Sequence, residues 1–223
     1  AASDVYKRQA CVSYIKMRNN YNGSQFSEHT ELENVQVTAV HEFFHAIQFS
    51  YNCYERFWFM EATAVWSEDE LYNNVNDHYR YISSWFSNIN KSLDDESSHM
   101  YGSFIFFQYV DEHLGGPNTI RLCWEKSHEL ASPIQDNSIE SINAALSDLG
   151  SSFEETYLRM RIANKIMNMN AGLYSYEEAD GYRSAGGYPL EKDIFYQKGI
   201  PQDDTYLSLD LFETMYYKIH TSD

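Results

Sequence analysis

The chain has 223 residues, enough for one full domain and part of a second. Its 16 basic and 33 acidic residues give a formal net charge of -17, which repels phosphate backbones and anionic lipid surfaces and argues against nucleic acid as a partner. No stretch approaches the roughly 20 consecutive apolar residues that a spanning helix needs, so no membrane span is predicted.

The N-terminal residues need separate treatment. Residues 4–9 read Asp-Val-Tyr-Lys-Arg-Gln, which looks like the translation of an adaptor used in sequencing libraries. Residues 1–9 are therefore expected to be foreign to the fold. Residues 11–17 alternate enough between apolar and polar side chains to predict a short strand, and the Asn-rich run that follows predicts a turn.

From residue 33 onward the apolar residues recur with helical spacing. The run Gly115-Gly116-Pro117 is typical of one helix ending and the next beginning, and Ser152 with Glu155 predicts a capping box. Helices are predicted over residues 33–50, 57–72, 77–89, 100–114, 118–130, 138–148 and 152–168. The core is expected to include the aromatic residues Trp58, Trp66, Phe104, Phe106 and Phe107.

Beyond residue 172 the helical periodicity is lost. Residues 173–205, which are rich in Gly and Pro, are predicted to be an irregular linker. Strands are predicted over 206–211 and 215–219, so residues 206–223 are interpreted as the truncated start of a β domain. The expected fold class is mainly α, or α+β overall, with residues 10–172 as the principal domain.

The three cysteines, Cys11, Cys53 and Cys123, have none of the paired spacing of a zinc ribbon or a redox motif. They could form one disulfide and leave one thiol, or be three separate buried side chains. The second alternative is favoured, because free cysteine is among the most buried residue types.

Residues 41–45 read His41-Glu42-Phe43-Phe44-His45, which matches the HExxH pattern. Four residues of helix advance by about 400 degrees and about 6 Å, so both imidazoles project from one face and can share one zinc ion. Glu42 lies beside the pair, where its carboxylate can act as general base towards a water that the ion activates. The pattern predicts one catalytic Zn²⁺ per chain.

The alternative is a surface helix that happens to carry two histidines. With eight histidines in the chain, random order yields only roughly 0.02 such matches, for a pattern whose meaning is geometric. The motif also lies in the apolar register of its helix, where histidines and a glutamate without a ligand would be costly. A metal site is therefore the favoured interpretation.

Catalytic zinc usually has a third protein ligand, and Glu61 is the candidate. Gln48 and Tyr51 occupy the positions where the longer metzincin pattern needs Gly and His. If the first two long helices form an antiparallel hairpin, His45 lies five residues (about 7.5 Å of rise) before the end of the first helix and Glu61 four residues (about 6 Å) after the start of the second, so the two are nearly level. Glu68 would overshoot by roughly 9 Å, so its removal is expected to leave zinc affinity nearly unchanged.

HExxH followed after 15 residues by a glutamate in a Trp-x-x-Glu-Ala-x-Ala setting resembles the gluzincin zinc peptidases. Residues 37–49 also resemble a group of secreted bacterial metalloproteases. The resemblance runs from about residue 37 to residue 169 and implies a gluzincin-like helical catalytic domain, to which we assign residues 10–172, with His41, His45 and Glu61 as zinc ligands and Glu42 as base. Thermolysin-like enzymes have an aspartate four residues after the third ligand, where this chain has Val65, so the residues that orient the ligands stay unassigned.

Two further features of the sequence give weaker indications of function. Tyr101 is the first candidate for the donor that stabilises the oxyanion, with His99 as the second, although a packing role is the simpler alternative in so tyrosine-rich a chain. A calcium site is the weaker interpretation of the acidic residues Glu68, Asp69, Glu70 and Asp77, since such runs more often form a solvated helix face.

The sequence thus predicts a secreted zinc metallopeptidase that acts on peptide or protein substrates. Two alternatives stay open: a non-peptidase zinc hydrolase with the same ligands, and a catalytically inactive binding protein on the same fold. The intact Glu42 argues against the second alternative.

Overall fold

A computed structural model describes residues 10–132, 135–189, 191–197, 209 and 212–222. In these ranges the chain is mainly helical with one small sheet, which confirms the expected fold class. None of the helices found there is both long enough and apolar enough to cross a bilayer. The elements are α1 (Glu31–Tyr51), α2 (Phe57–Tyr72), α3 (Tyr79–Ser87), α4 (His99–Gly102), α5 (Phe104–His113), α6 (Pro117–Leu130), α7 (Ser138–Asp148), α8 (Phe153–Ile166), α9 (Ala179–Ser184), β1 (Glu191–Gln197) and β2 (Tyr216–Ser222).

Helix α1 begins two residues earlier than predicted because Thr30 caps it. The Thr30 hydroxyl accepts from the backbone N–H of Glu33 at 3.3 Å, and the Glu33 carboxylate accepts from the Thr30 N–H at 2.8 Å. This reciprocal pair satisfies two of the N–H groups that a helix start leaves open. After α1 ends at Tyr51, a short loop leads into α2, and the two helices pack against each other.

Helix α2 is buried nearly all round, which is typical of a helix at the centre of a domain. The Phe59 ring stacks on Trp124 of α6 with centroids 4.4 Å apart, and on Phe107 of α5 at 5.3 Å. Three helices therefore meet in one aromatic stack. The predicted core aromatics are all buried, as expected: Trp58, Trp66, Phe104, Phe106 and Phe107.

Most helix boundaries lie within about two residues of the predicted ones. The predicted helix over 100–114 is divided at Ser103, whose hydroxyl donates to the Leu93 carbonyl at 2.8 Å. The predicted helix over 77–89 is shorter, covering 79–87. Gly116 has a φ of 73°, a left-handed conformation that glycine adopts without strain. It is followed by Pro117, which is the first residue of α6.

The strand predicted over residues 11–17 is wrong. This segment has no regular structure, and Val12 and Tyr14 are 101% and 89% exposed, so no apolar face is buried that would favour a strand. Instead, Cys11 forms a disulfide with Cys53, with Cα atoms 5.8 Å apart, while Cys123 is free and buried. Of the two alternatives for the cysteines, the disulfide with one spare thiol is correct and the favoured one is wrong.

The linker predicted over residues 173–205 is also wrong in its described part. Tyr176 and Tyr182 are fully buried in the same core as α2, and the segment contains α9 and β1. Strand β1 pairs in parallel with β2 from Glu191 opposite Tyr216 to Gln197 opposite Ser222. The strand predicted over 215–219 is confirmed as β2. The strand predicted over 206–211 lies outside the described residues, apart from Leu209, and so do residues 1–9.

We expect Phe59→Ala to lower the free energy of unfolding by about 3–5 kcal/mol, because it opens a cavity between three helices. Phe57→Ala is the matched control, since Phe57 lies two residues earlier on the same helix and is 63% exposed. Its effect should stay within about 0.5 kcal/mol. Urea unfolding followed by tryptophan fluorescence measures both, and equal losses would contradict the role given to the stack.

Candidate metal centre

Three side chains from α1 and α2 converge at one point. His41 Nε2 lies 3.1 Å from Glu61 Oε2, and His45 Nε2 lies 3.6 Å from Glu61 Oε1. The two imidazole rings meet edge to face with centroids 4.7 Å apart. One ligand atom from each residue lies within 4.8 Å of the others. The structure thus brings together the three residues that the helical spacing predicted.

Gln48 orients His45 and joins the two helices. Its Oε1 lies 2.7 Å from His45 Nδ1, while its Nε2 donates to the Met60 carbonyl at 2.8 Å and to the Thr63 hydroxyl at 2.9 Å. Because the Gln48 amide nitrogen donates to these two acceptors, it is the amide oxygen Oε1 that faces His45. An oxygen can only accept, so Nδ1 of His45 carries the hydrogen and donates it to Gln48. This leaves Nε2 of His45 facing Glu61, whose Oε1 lies 3.6 Å away.

Glu68 does the same for His41, contrary to the expectation that it lies outside the site. Its Oε1 lies 2.6 Å from His41 Nδ1, and its side chain is almost fully buried. His41 lies one helical turn further from the hairpin loop than His45, and Glu68 lies two turns further from that loop than Glu61. Glu68 therefore reaches Nδ1 of the His41 ring, on the side opposite the Nε2 that faces Glu61. Glu68 is therefore not level with the three converging residues, but it holds one of them.

The charges in the cluster are coupled. Burial alone would lower the pKa of His41, but hydrogen bonds to Glu61 and Glu68 outweigh it and raise the pKa to about 9. Burial would raise the pKa of Glu61, yet its contacts with His41 and His45 lower it to about 2. Without a metal, a proton on His41 thus offsets part of the charge of these carboxylates, and a cation that binds there must displace this proton.

Glu42 lies between two cavities that flank the cluster. One, of about 230 Å³, is also lined by His41, Arg80 and Tyr101. The other, of about 190 Å³, is also lined by His45 and Glu61. The Glu42 side chain makes no hydrogen bond to any residue in the described ranges, so its carboxylate is available to a water or to a substrate.

Of the two oxyanion candidates, only Tyr101 lies beside Glu42 and His41. Its ring stacks on Tyr81 at 5.2 Å, and burial followed by the nearby Glu61 raises the pKa of its hydroxyl. His99 instead stacks on the buried Trp85 at 4.1 Å, and burial lowers the pKa of His99 to about 4. His99 belongs to the core and does not line the Glu42 cavities.

The four carboxylates considered for calcium have separate partners. Glu68 contacts His41, Asp69 lies near His78, and Asp77 pairs with His29 and Arg80. Glu70 is exposed. Among the described residues, no group of potential ligand atoms joins these four carboxylates.

Comparison with known families assigns the chain to one of them. A family described as a family of unknown function (DUF6055) matches residues 7–145. The chain belongs to this family. No curated protein and no solved structure matches the chain. The part of the chain that matches DUF6055 contains His41, Glu42, His45, Glu61, Glu68 and Tyr101.

The roles of Gln48 and Glu68 were not predicted from the sequence. Both positions carry a signal that can be recognised afterwards, because Gln48 is a polar residue in the apolar register of α1 and Glu68 follows Glu61 by two helical turns. Tyr81, whose hydroxyl accepts from Arg80 at 2.7 Å, was also missed as a residue of the cavity beside Glu42.

We expect Glu68→Ala to weaken zinc binding at this site roughly 10- to 100-fold, since partners that orient a ligating histidine typically contribute that much. This reverses the expectation from the sequence that affinity would be nearly unchanged. Glu70→Ala is the matched control, because it removes the same charge from an exposed position on the same helix. Competition with a chelating dye measures both, and equal affinities in the two variants would argue against the orienting role.

Proposed function

We propose that the protein is a zinc-dependent metallopeptidase that hydrolyses peptide bonds, with His41, His45 and Glu61 as ligands and Glu42 as general base. The observation that carries the proposal is the convergence of two oriented imidazole Nε2 atoms on one carboxylate, 3.1 and 3.6 Å away, beside an uncommitted glutamate. The HExxH pattern and its resemblance to gluzincin peptidases support the same conclusion.

The donor set fits zinc. Two imidazole nitrogens and one carboxylate form a three-ligand set of the kind found in catalytic zinc sites, which keep a further position open. Both histidines have a partner on Nδ1, Gln48 or Glu68, as ligating histidines usually do. The two flanking cavities leave access for a substrate.

When bound, zinc would act as a Lewis acid towards the scissile carbonyl and make water a stronger nucleophile at neutral pH. Glu42 would accept the proton of the attacking water as the new C–O bond forms. It would then pass this proton to the nitrogen of the leaving amine as the C–N bond breaks. The Tyr101 hydroxyl would donate a hydrogen bond to the oxygen that gains negative charge, a role supported by the position of Tyr101 in the lining of the same cavity as Glu42.

Secretion is part of the proposal. The disulfide between Cys11 and Cys53 supports it, because disulfides form and persist mainly in oxidising compartments. The formal net charge of -17 is consistent with a protein that avoids nucleic acid.

Glu42→Gln tests the chemistry. The substitution keeps the shape of the side chain and removes the base, so we expect peptide cleavage to fall by roughly 100-fold or more while bound zinc stays constant. A peptide-library assay with matched elemental analysis measures both quantities. Retained cleavage would mean that another group is the base, and a zinc-loaded wild type that cleaves esters but no peptide would indicate a non-peptidase hydrolase.

Glu61→Ala tests the ligand set. Two histidines alone would hold the ion mainly through water, so we expect zinc affinity to fall by more than roughly 100-fold, beyond the range for an outer partner such as Glu68. The wild-type site should hold one zinc ion, and His41→Ala combined with His45→Ala should lose it. Unchanged affinity in Glu61→Ala would remove Glu61 from the proposal.

A further inference from the structure

A second cluster of metal-ligating side chains lies outside the site described above. Asp69 belongs to the end of α2, His78 immediately precedes α3, and Glu178 immediately precedes α9. His78 Nε2 lies 3.0 Å from Glu178 Oε2, and His78 Nδ1 lies 3.6 Å from Asp69 Oδ1. One ligand atom from each of the three lies within 4.8 Å of the others.

Two atoms of this cluster are buried without a partner. His78 is 1% exposed and Asp69 is 4% exposed. Neither His78 Nδ1 nor Asp69 Oδ1 makes a hydrogen bond to any described residue, and their separation of 3.6 Å is too long for one. Leaving two such polar atoms unsatisfied is costly, and each one requires an explanation.

The surroundings are short of positive charge. Asp111, Glu178 and Glu68 all act against ionisation of Asp69, and only His78 favours it. Burial raises the pKa of the nearby Glu112 to about 7, with Glu177 and Glu178 adding to the effect. Protons can supply the missing charge, and so can a divalent cation.

We propose that Asp69, His78 and Glu178 form a second divalent-metal site, structural in role and separate from the His41–His45–Glu61 site. An imidazole with two carboxylates is a donor set that suits Zn²⁺, whereas Ca²⁺ takes six to eight oxygen ligands. With the Asn76 amide oriented so that its nitrogen faces Glu178, that nitrogen donates to Oε1 at 3.1 Å and holds the carboxylate in place.

The site would join segments that are far apart in the chain. Asp69 follows Glu68, which orients His41, and Glu178 belongs to the segment beyond residue 172 that the sequence suggested was a linker. A metal bound by all three would fasten this segment to the end of the helix that carries Glu61. It would add to the packing of Tyr176 and Tyr182, which already place this stretch in the core.

The test is zinc binding by the full chain after chelator treatment, measured by equilibrium dialysis against Zn²⁺ alone. The variants are Glu178→Gln and Asp69→Asn, which keep side-chain shape, and the double variant His41→Ala/His45→Ala. Glu177→Gln is the matched control, because it removes the same charge one residue away from an exposed side chain. Circular dichroism checks that each variant is folded, and Glu178→Gln decides alone if the buried Asp69→Asn fails to fold.

We expect two zinc ions in the wild type and in Glu177→Gln. Glu178→Gln and Asp69→Asn should lose at least about tenfold in affinity for one of them, as even outer partners of a metal contribute roughly 10- to 100-fold. The double histidine variant should keep one ion and still gain Tm on addition of Zn²⁺, as a ligand of the folded state requires.

Wild-type stoichiometry and affinity in Glu178→Gln would overturn the inference. A wild type that holds one ion, lost in the double histidine variant, would also overturn it and leave the proposed peptidase site intact. One ion that survives the double histidine variant but not Glu178→Gln would support this second site and contradict the first.

Discussion

The buried amide of Gln48 is the contact on which the geometry of the site depends. It has no exposed surface, and it joins His45 of α1 to two acceptors on α2 that flank Glu61 in the chain, Met60 and Thr63. The amide therefore fixes the tautomer of the histidine and the height of one helix against the other in a single set of hydrogen bonds. An isolated HExxH helix would have neither property, because both arise only when the second helix is present.

The rigidity of α2 gives this arrangement its precision. Apart from Glu61, most side chains from Trp58 to Asp69 are buried, and aromatic rings from two other helices pack beneath them. Close-packed interiors yield little to displacement, so a ligand carried by such a helix keeps its position. Helix α1, in contrast, buries few of its residues, and the side chains of His41 and His45 keep 15% and 21% of their surface exposed. The site thus has one fixed side and one open side.

The part of the site that could be predicted from the sequence is the part that depends only on the rise of a helix per residue. His45 and Glu61 are level because both lie a similar number of residues from one loop, and a fixed rise of about 1.5 Å per residue makes that a calculation. The contact of Glu68 with His41 also requires the rotation of each helix about its axis, which spacing does not give. Gln48 was visible only as a polar residue among apolar ones.

The errors share a cause, which is that strands and cross-links depend on distant partners. Residues 11–17 alternate in polarity, but this local pattern has no neighbouring strand to pair with in the described chain. Strand β1 shows a weak pattern and forms because β2 lies beside it. The pairing of Cys11 with Cys53 spans 42 residues, and sequence alone cannot choose among the pairings of three cysteines.

That pairing has a consequence for the unfolded chain. The covalent ring closed by Cys11 and Cys53 encloses the whole of α1, and with it both histidines. In the chain-entropy view, closing a ring of this size removes about 4 kcal/mol of conformational freedom from the denatured ensemble. An oxidised chain that has lost its helices still confines the HExxH segment to a small volume next to the start of α2. The ring ends at Cys53, just before α2 begins at Phe57, so during refolding the α1 segment cannot move far from the helix that it must contact.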